Sequence, residues 1–249
     1  MHDWETVDSG SSKWIFAPLG RSARLLTSMF NPAGYQDFDA SQFKELCHSF
    51  GLRSLPLVAL SACFVGLALT AETCLEMQHY NAQELAGGAI AIGLLRELGP
   101  LTVGMAWAAR VCVIVHEQAL DYLKQADSSE NFATFFVPRY IAALCMSIPL
   151  SVYGMSIGFA VAALAAPFFC DTTMSDFLES ARLGVKNKDL IVYFIKLIAI
   201  NPTVAVLAGS AYGLSGWKKK SPTVATALTT MFIVDVAVMW LVTSIAYLP

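Results

Sequence analysis

Charge is scarce in this chain. Of its 249 residues only 14% are Asp, Glu, Lys or Arg, whereas 56% are hydrophobic. A soluble domain carries nearer a quarter charged residues, so composition points to a protein that crosses a membrane several times. The net charge of −3 lacks the basic excess that nucleic acid demands, and excludes that class of partner. Catalytic signatures are missing too. There is no HExxH, no GxSxG and no phosphate-cradling GxxxxGK[ST], and the four histidines, His2, His48, His79 and His116, are scattered. The chain therefore does not read as an enzyme, and any ATP hydrolysis belongs to a separate partner. The six cysteines, Cys47, Cys63, Cys74, Cys112, Cys145 and Cys170, show no metal-binding spacing. Neither a metal nor another cofactor is expected. Most sit in apolar runs as small packing residues; Cys74 and Cys170 both fall near the expected outer surface, which leaves a bridge between them open. No signal peptide or transit peptide pattern is present in the first fifty residues.

What is abundant is long apolar sequence. A spanning helix needs about 20 apolar residues at roughly 1.5 Å each. Five stretches qualify: about Ser54 to Leu75, Leu85 to Val115, Tyr140 to Phe169, Leu190 to Gly213 and Val224 to Leu248. The second and third exceed the thickness of a bilayer and should tilt or project. Upstream, apolar residues from Trp14 to Phe30 recur at helical spacing around Arg21 and Arg24, as in a helix lying on the inner leaflet. Asn31-Pro32-Ala33-Gly34 ends it. Ser41 to Phe50 reads as a second short helix capped by Asp39 or Ser41. The expected organisation is an all-α integral membrane protein: residues 1–50 form a tail with interfacial helices, and residues 51–249 form a five-span domain.

Basic residues set orientation. Lys13, Arg21, Arg24, Lys44 and Arg53 precede the first span, Arg110, Lys124 and Arg139 flank the second connection, and Lys218-Lys219-Lys220 fill the fourth. The Cys74–Glu84 loop has none, whereas the Cys170–Asp189 loop carries Arg182, Lys186 and Lys188, so the orientation is the better fit of two. This pattern places the N-terminus in the cytoplasm and the C-terminus outside.

Against that background the string Leu94-Leu95-Arg96-Glu97-Leu98-Gly99-Pro100 stands out. A charge at the centre of a bilayer costs roughly 2.5–3.5 kcal/mol on insertion scales, so a retained pair is paired, faces protein or serves transport. Neighbours on a helix point about 100° apart, so Arg96 and Glu97 cannot serve each other well. Lys196 is the candidate partner of Glu97, and Asp235 or Glu72 that of Arg96. Pro100 lacks a donor and crowds the Arg96 carbonyl; Asn201-Pro202 should kink the fourth span similarly. Other readings stay open. Lys196 lies near its span's start and its stem could snorkel to the headgroups. Glu72 could meet a headgroup or face water. The charge pair could be a clamp between helices rather than a lipid-path element. Dense small residues, including Gly87-Gly88, Gly93, Gly104 and Gly154-x-x-x-Gly158, allow close helix approach.

These residues also carry a resemblance. Leu94 to Pro100, followed by Arg110, resembles the second-span signature of the MlaE/YrbE permeases, the membrane subunits of MCE-associated ABC transporters that move lipid between membranes. Phe64-Val65-Gly66, Pro138-Arg139, Ile195-Lys196 and Asp235 match further family elements in order, over about residues 45 to 245. The resemblance implies a phospholipid permease of the bacterial inner membrane. It would work with a second permease chain, an ABC ATPase and a ring of MCE-domain protein. Arg96, Glu97, Glu72, Lys196 and Asp235 would provide the intramembrane charge or lipid path, and Arg110, Glu117, Gln118 and Arg139 would lie in the ATPase-coupling region. Two features depart from the pattern: Ala109 stands where the family has Gly, and the connection from Val111 to Pro138 is short. Outside this family, an ion-coupled carrier using Glu97, Lys196 and Asp235, or a non-transporting scaffold, would share the same charges.

Overall fold

The computed structural model describes residues 25, 27, 40–125, 132–214 and 224–248. The interfacial helix expected between Trp14 and Phe30, apart from Leu25 and Thr27, and the Lys218–Lys220 run fall outside the described residues. Among the described residues there is no strand. Five helices are long and apolar enough to cross a membrane.

A short helix, Ala40–Phe50, precedes the spans and buries Leu46 and Phe50, one turn apart. The first spanning helix, Leu55–His79, opens with Pro56 in its first turn, where a missing N–H costs nothing. The second combines Ala86–Gly93, a π-helical segment Leu94–Gly104 and Met105–Gln125. The third is Phe132–Phe169, 38 residues with Pro138, Pro149 and Pro167 inside it. The fourth joins Asn187–Phe194, a second π-helical segment Ile195–Ile200 and Asn201–Gly213. Val224–Ala246 is the fifth. All five expected spans are present. The second and third run beyond the expected bounds, since their polar and proline-bearing ends remain helical. The helix Met174–Gly184 lies in a connection expected to be loop. Thr173 caps it, its hydroxyl accepting from the Asp176 N–H at 3.2 Å.

Two parallel pairs organise the bundle. In the first, Val58 packs near Gly154, Gly66 meets Gly158, and Cys74 is disulfide-bonded to Cys170 with Cα atoms 5.0 Å apart. The partners advance together along both chains, so the first and third helices run the same way. The second and fourth helices do likewise. Arg96 meets Asp189, Gly99 lies by Tyr193, Gly104 by Asn201, and Gly209 by Cys112. A β-carbon at Gly66 would overlap the Gly158 carbonyl, and one at Gly104 would overlap the Asn201 amide. Small residues thus set both spacings, as expected where backbones must approach closely in a membrane.

The largest core draws on the short helix and all five spanning helices, through Phe50, Val58, Trp107, Phe136, Val206 and Met231. The Trp107 indole N–H donates to the Phe50 carbonyl at 2.8 Å, fixing the short helix to the bundle. The first and fifth helices also leave large apolar side chains uncovered, among them Leu60, Phe64, Phe232, Ile233, Trp240 and Leu241.

Candidate functional site: an intramembrane polar ladder

The fourth helix presents Asp189, Tyr193, Lys196 and Asn201 along one side. All four are buried, and between them they bond the second, third and fifth helices. The Asp189 carboxylate accepts three donors: the Arg96 Nε at 2.7 Å, the Lys186 backbone N–H at 3.0 Å, and the Tyr247 hydroxyl. The Tyr193 hydroxyl donates to the Ser151 carbonyl of the third helix at 2.8 Å. The Lys196 ammonium donates to the Arg96 carbonyl and lies 3.4 Å from the Glu97 carboxylate. The Asn201 amide nitrogen, turned toward Asp235, donates to its two oxygens at 2.9 and 3.1 Å.

Local sequence explains the geometry. In a regular helix the residue-100 N–H would serve the Arg96 carbonyl, but Pro100 has none. The helix widens into its π-helical segment there, and Lys196 supplies a donor to that same carbonyl. The lysine's own segment is π-helical as well. π-Helical turns are rare and concentrate at functional sites; here two of them face each other across one interface. The Thr102 and Thr203 hydroxyls donate to the carbonyls four residues earlier, Leu98 and Ala199, close to the two prolines.

Arg96 and Glu97 do diverge to separate partners. Lys196 is the partner of Glu97, as expected. The expectation for Arg96 is corrected: neither Asp235 nor Glu72 reaches it. Asp189 takes its Nε, and its guanidinium carbon lies 4.1 Å from the centre of the Tyr247 ring. Asp235 is held by Asn201, and Glu72 is exposed on the first helix, away from the ladder. Nor does Lys196 snorkel. Its side chain is fully buried, while Glu97 is 48% exposed. The fourth helix begins at Asn187 rather than Leu190, which sets Lys196 deeper, and the interhelix donors demanded beside Pro100 draw it inward.

Asp189 and Tyr247 are the members that the sequence reading missed. The available signal for Asp189 is an acid at the third position of a helix, directly before an apolar run, where it caps the helix start. Tyr247 follows the last residue of the fifth helix. Burial and its bond to Asp189 push its hydroxyl up to about 12, so it remains a donor throughout the neutral range.

The four residues expected in the coupling region are only partly assembled. Arg139 donates through Nε to the Gln118 side chain at 2.7 Å and through a terminal nitrogen to the Phe135 carbonyl at 2.7 Å, with its guanidinium over the Phe135 ring. Glu117 is exposed, and the buried Arg110 Nε has no hydrogen-bond partner among the described residues. Separately, a cleft of about 230 Å³ lies between the second and third helices and Met174–Gly184. It is lined by Leu94, Leu95, Met155 and Phe159, with Arg182 among its lining residues.

Five apolar helices and a buried ladder of paired charges define a polytopic membrane protein built to hold polar groups at depth, with no metal-binding cluster among the described residues. The family description "Permease MlaE" matches residues 43–247, and the chain belongs to the MlaE permease family. It is 24% identical to a probable ABC transporter permease protein of Porphyra purpurea, over 79% of this chain and 77% of that one. It is 25% identical to a probable ABC transporter permease protein of Synechocystis, over 79% and 80%. The chloroplastic protein TRIGALACTOSYLDIACYLGLYCEROL 1 of Arabidopsis thaliana is 25% identical over 74% of this chain and 57% of its own length. The chain is thus a permease, a transport subunit rather than an enzyme.

Proposed function

We propose that this permease moves phospholipid between membranes as the membrane subunit of an ABC-type transporter. The observation that carries the reading is Glu97: a half-exposed carboxylate within a spanning helix, held by a fully buried lysine. A pure clamp would bury both charges. An amphiphile needs apolar walls beside a polar foothold, and the uncovered faces of the first and fifth helices lie in the same molecule as that foothold. The Arabidopsis relative is named for a diacylglycerol lipid that carries sugar rather than phosphate, which supports a two-chain lipid as the substrate class and leaves the phosphate to this proposal.

In this reading two permease chains enclose the lipid, with walls from the first, second and fifth helices. A ring of MCE-domain protein receives lipid outside, and an ABC ATPase drives closure from the cytoplasm. Arg110, Glu117, Gln118 and Arg139 belong to the coupling region, where Glu117 is exposed and Arg139 is buried. The Gln118–Arg139 bond ties the second and third helices on either side of the connection that would meet the ATPase. The membrane is the bacterial inner membrane, with the N-terminus cytoplasmic and the C-terminus outside. Disulfides persist in oxidising compartments. Cys74 and Cys170 lie at the ends of the first and third spans, the face that the end of the fifth also reaches by alternation, in support of that orientation.

Affinity purification of the chain from its own cells should bring down an ATPase and an MCE-domain protein together. Purification of neither, with transport following an ion gradient, would replace this reading with a secondary carrier. A cysteine placed at Lys219 should resist impermeant labels added from outside; labelling there would invert the orientation.

A further inference from the structure

Where the fourth helix starts and the fifth ends, two cations gather on one aromatic ring. The Arg96 guanidinium carbon lies 4.1 Å from the Tyr247 ring centre and the Lys188 ammonium 4.9 Å. Beneath them Asp189, fully buried, accepts from the Arg96 Nε and the Tyr247 hydroxyl. The neutralising charge therefore points inward. The cations point outward: the Arg96 side chain is one-third exposed, and Lys188 is exposed. Two open positive groups against one buried negative group leave the surface of the cluster net positive. Fixing Nε on Asp189 also holds the planar fork of the guanidinium in one orientation, the arrangement that suits bidentate contact with phosphate oxygens. Tyrosine and lysine at span ends sit at headgroup level.

We propose that Arg96 and Lys188, carried on the Tyr247 ring and oriented by Asp189, form a binding site for a phosphate group, supplied by the headgroup of a phospholipid. Arg96 and Lys188 touch the phosphate; Asp189 and Tyr247 are positioning residues. The site rests on the lipid-permease reading and adds to it where the headgroup docks.

The test is native mass spectrometry of the full chain released from a phosphate-free detergent, mixed with dioleoyl phosphatidylglycerol or with dioleoylglycerol, which has the same tails and no phosphate. Phosphatidylglycerol should be retained and dioleoylglycerol lost. Lys188→Gln should lower retention about threefold, as for a partly exposed charge pair, and Lys188→Arg should restore it. Arg96→Gln should lower it about tenfold. Lys188 is exposed, so its variants fold even if loss of Arg96 unsettles Asp189. Competition by millimolar inorganic phosphate, with no advantage from acyl chains, would keep the anion chemistry but overturn the lipid as its source. Wild-type retention in both Lys188→Gln and Lys188→Glu would overturn the site and leave the cations as a brace for the end of the fifth helix. That failure is distinct from failure of the permease reading, which is decided by the ATPase and MCE partners.

Discussion

The two parallel helix pairs do the same geometric job with opposite chemistry. The first and third helices meet through glycine, alanine and valine, and a disulfide closes their far end. Among the described residues no ion pair joins them. The second and fourth helices meet through Arg96, Glu97, Asp189, Lys196 and Asn201, and both wind into π-helical turns at the contact. Close-packed backbones have one good arrangement, and a covalent tie removes alternatives. Hydrogen-bonded charges beside prolines have several, because donors can be exchanged among carbonyls and carboxylates. In the proposed transport cycle the first pair is the strut, and the second is where the permease changes shape.

Breaking each pair should separate these roles. The largest effect is expected from Asp189→Ala, which strips the acceptor from Arg96, Tyr247 and the Lys186 N–H. Removing one partner of a buried pair costs about 3–5 kcal/mol, and the exposure of Arg96 places this case at the low end. Thermal unfolding in detergent should show a large drop; an unchanged midpoint would remove Asp189 from the ladder. Replacing Cys74 and Cys170 together by serine should cost about 2–4 kcal/mol, visible as a lower midpoint that reductant also produces in the wild type, with the transport rate retained. If transport fails while the fold survives, the first pair is more than a strut. Gly66→Val drives a side chain into the Gly158 carbonyl and should cost about 1–3 kcal/mol. Its effect too should fall on stability rather than rate. The smallest stability change is expected from Pro100→Ala. A restored N–H competes with Lys196 for the Arg96 carbonyl, so the fold should hold within about 1 kcal/mol while transport slows.

The unequal chemistry also explains what the sequence discloses. The five spans are legible because length and hydropathy are local properties, and the short helix ending at Phe50 follows from local spacing. Arg96 and Glu97 are legible as a site because charge is conspicuous in an apolar run. Their partners are less so. Lys196 is identifiable for Glu97, yet its burial depends on a π-helical turn and on a donor missing at Pro100 in another helix. Asp189 reads as the end of a polar loop until the fourth helix is seen to begin at Asn187. Asn201 shows itself as the residue before a kink, and its bond to Asp235 emerges only when the fifth helix is set beside it. Cys74 and Cys170 are legible as cysteines at the outer ends of two spans, but the side-by-side packing of the first and third helices that joins them across 96 residues is in no local pattern.

Glu97→Gln tests most directly whether the ladder serves transport rather than only bracing helices. The amide keeps the shape and can still accept from Lys196, but it lacks the charge. Lipid movement between donor and acceptor vesicles, measured on the reconstituted complex beside the thermal midpoint of the same preparation, should show transport reduced at least tenfold with the midpoint nearly unchanged. Wild-type transport, or a midpoint that falls in step with the rate, would reduce the charges to a brace.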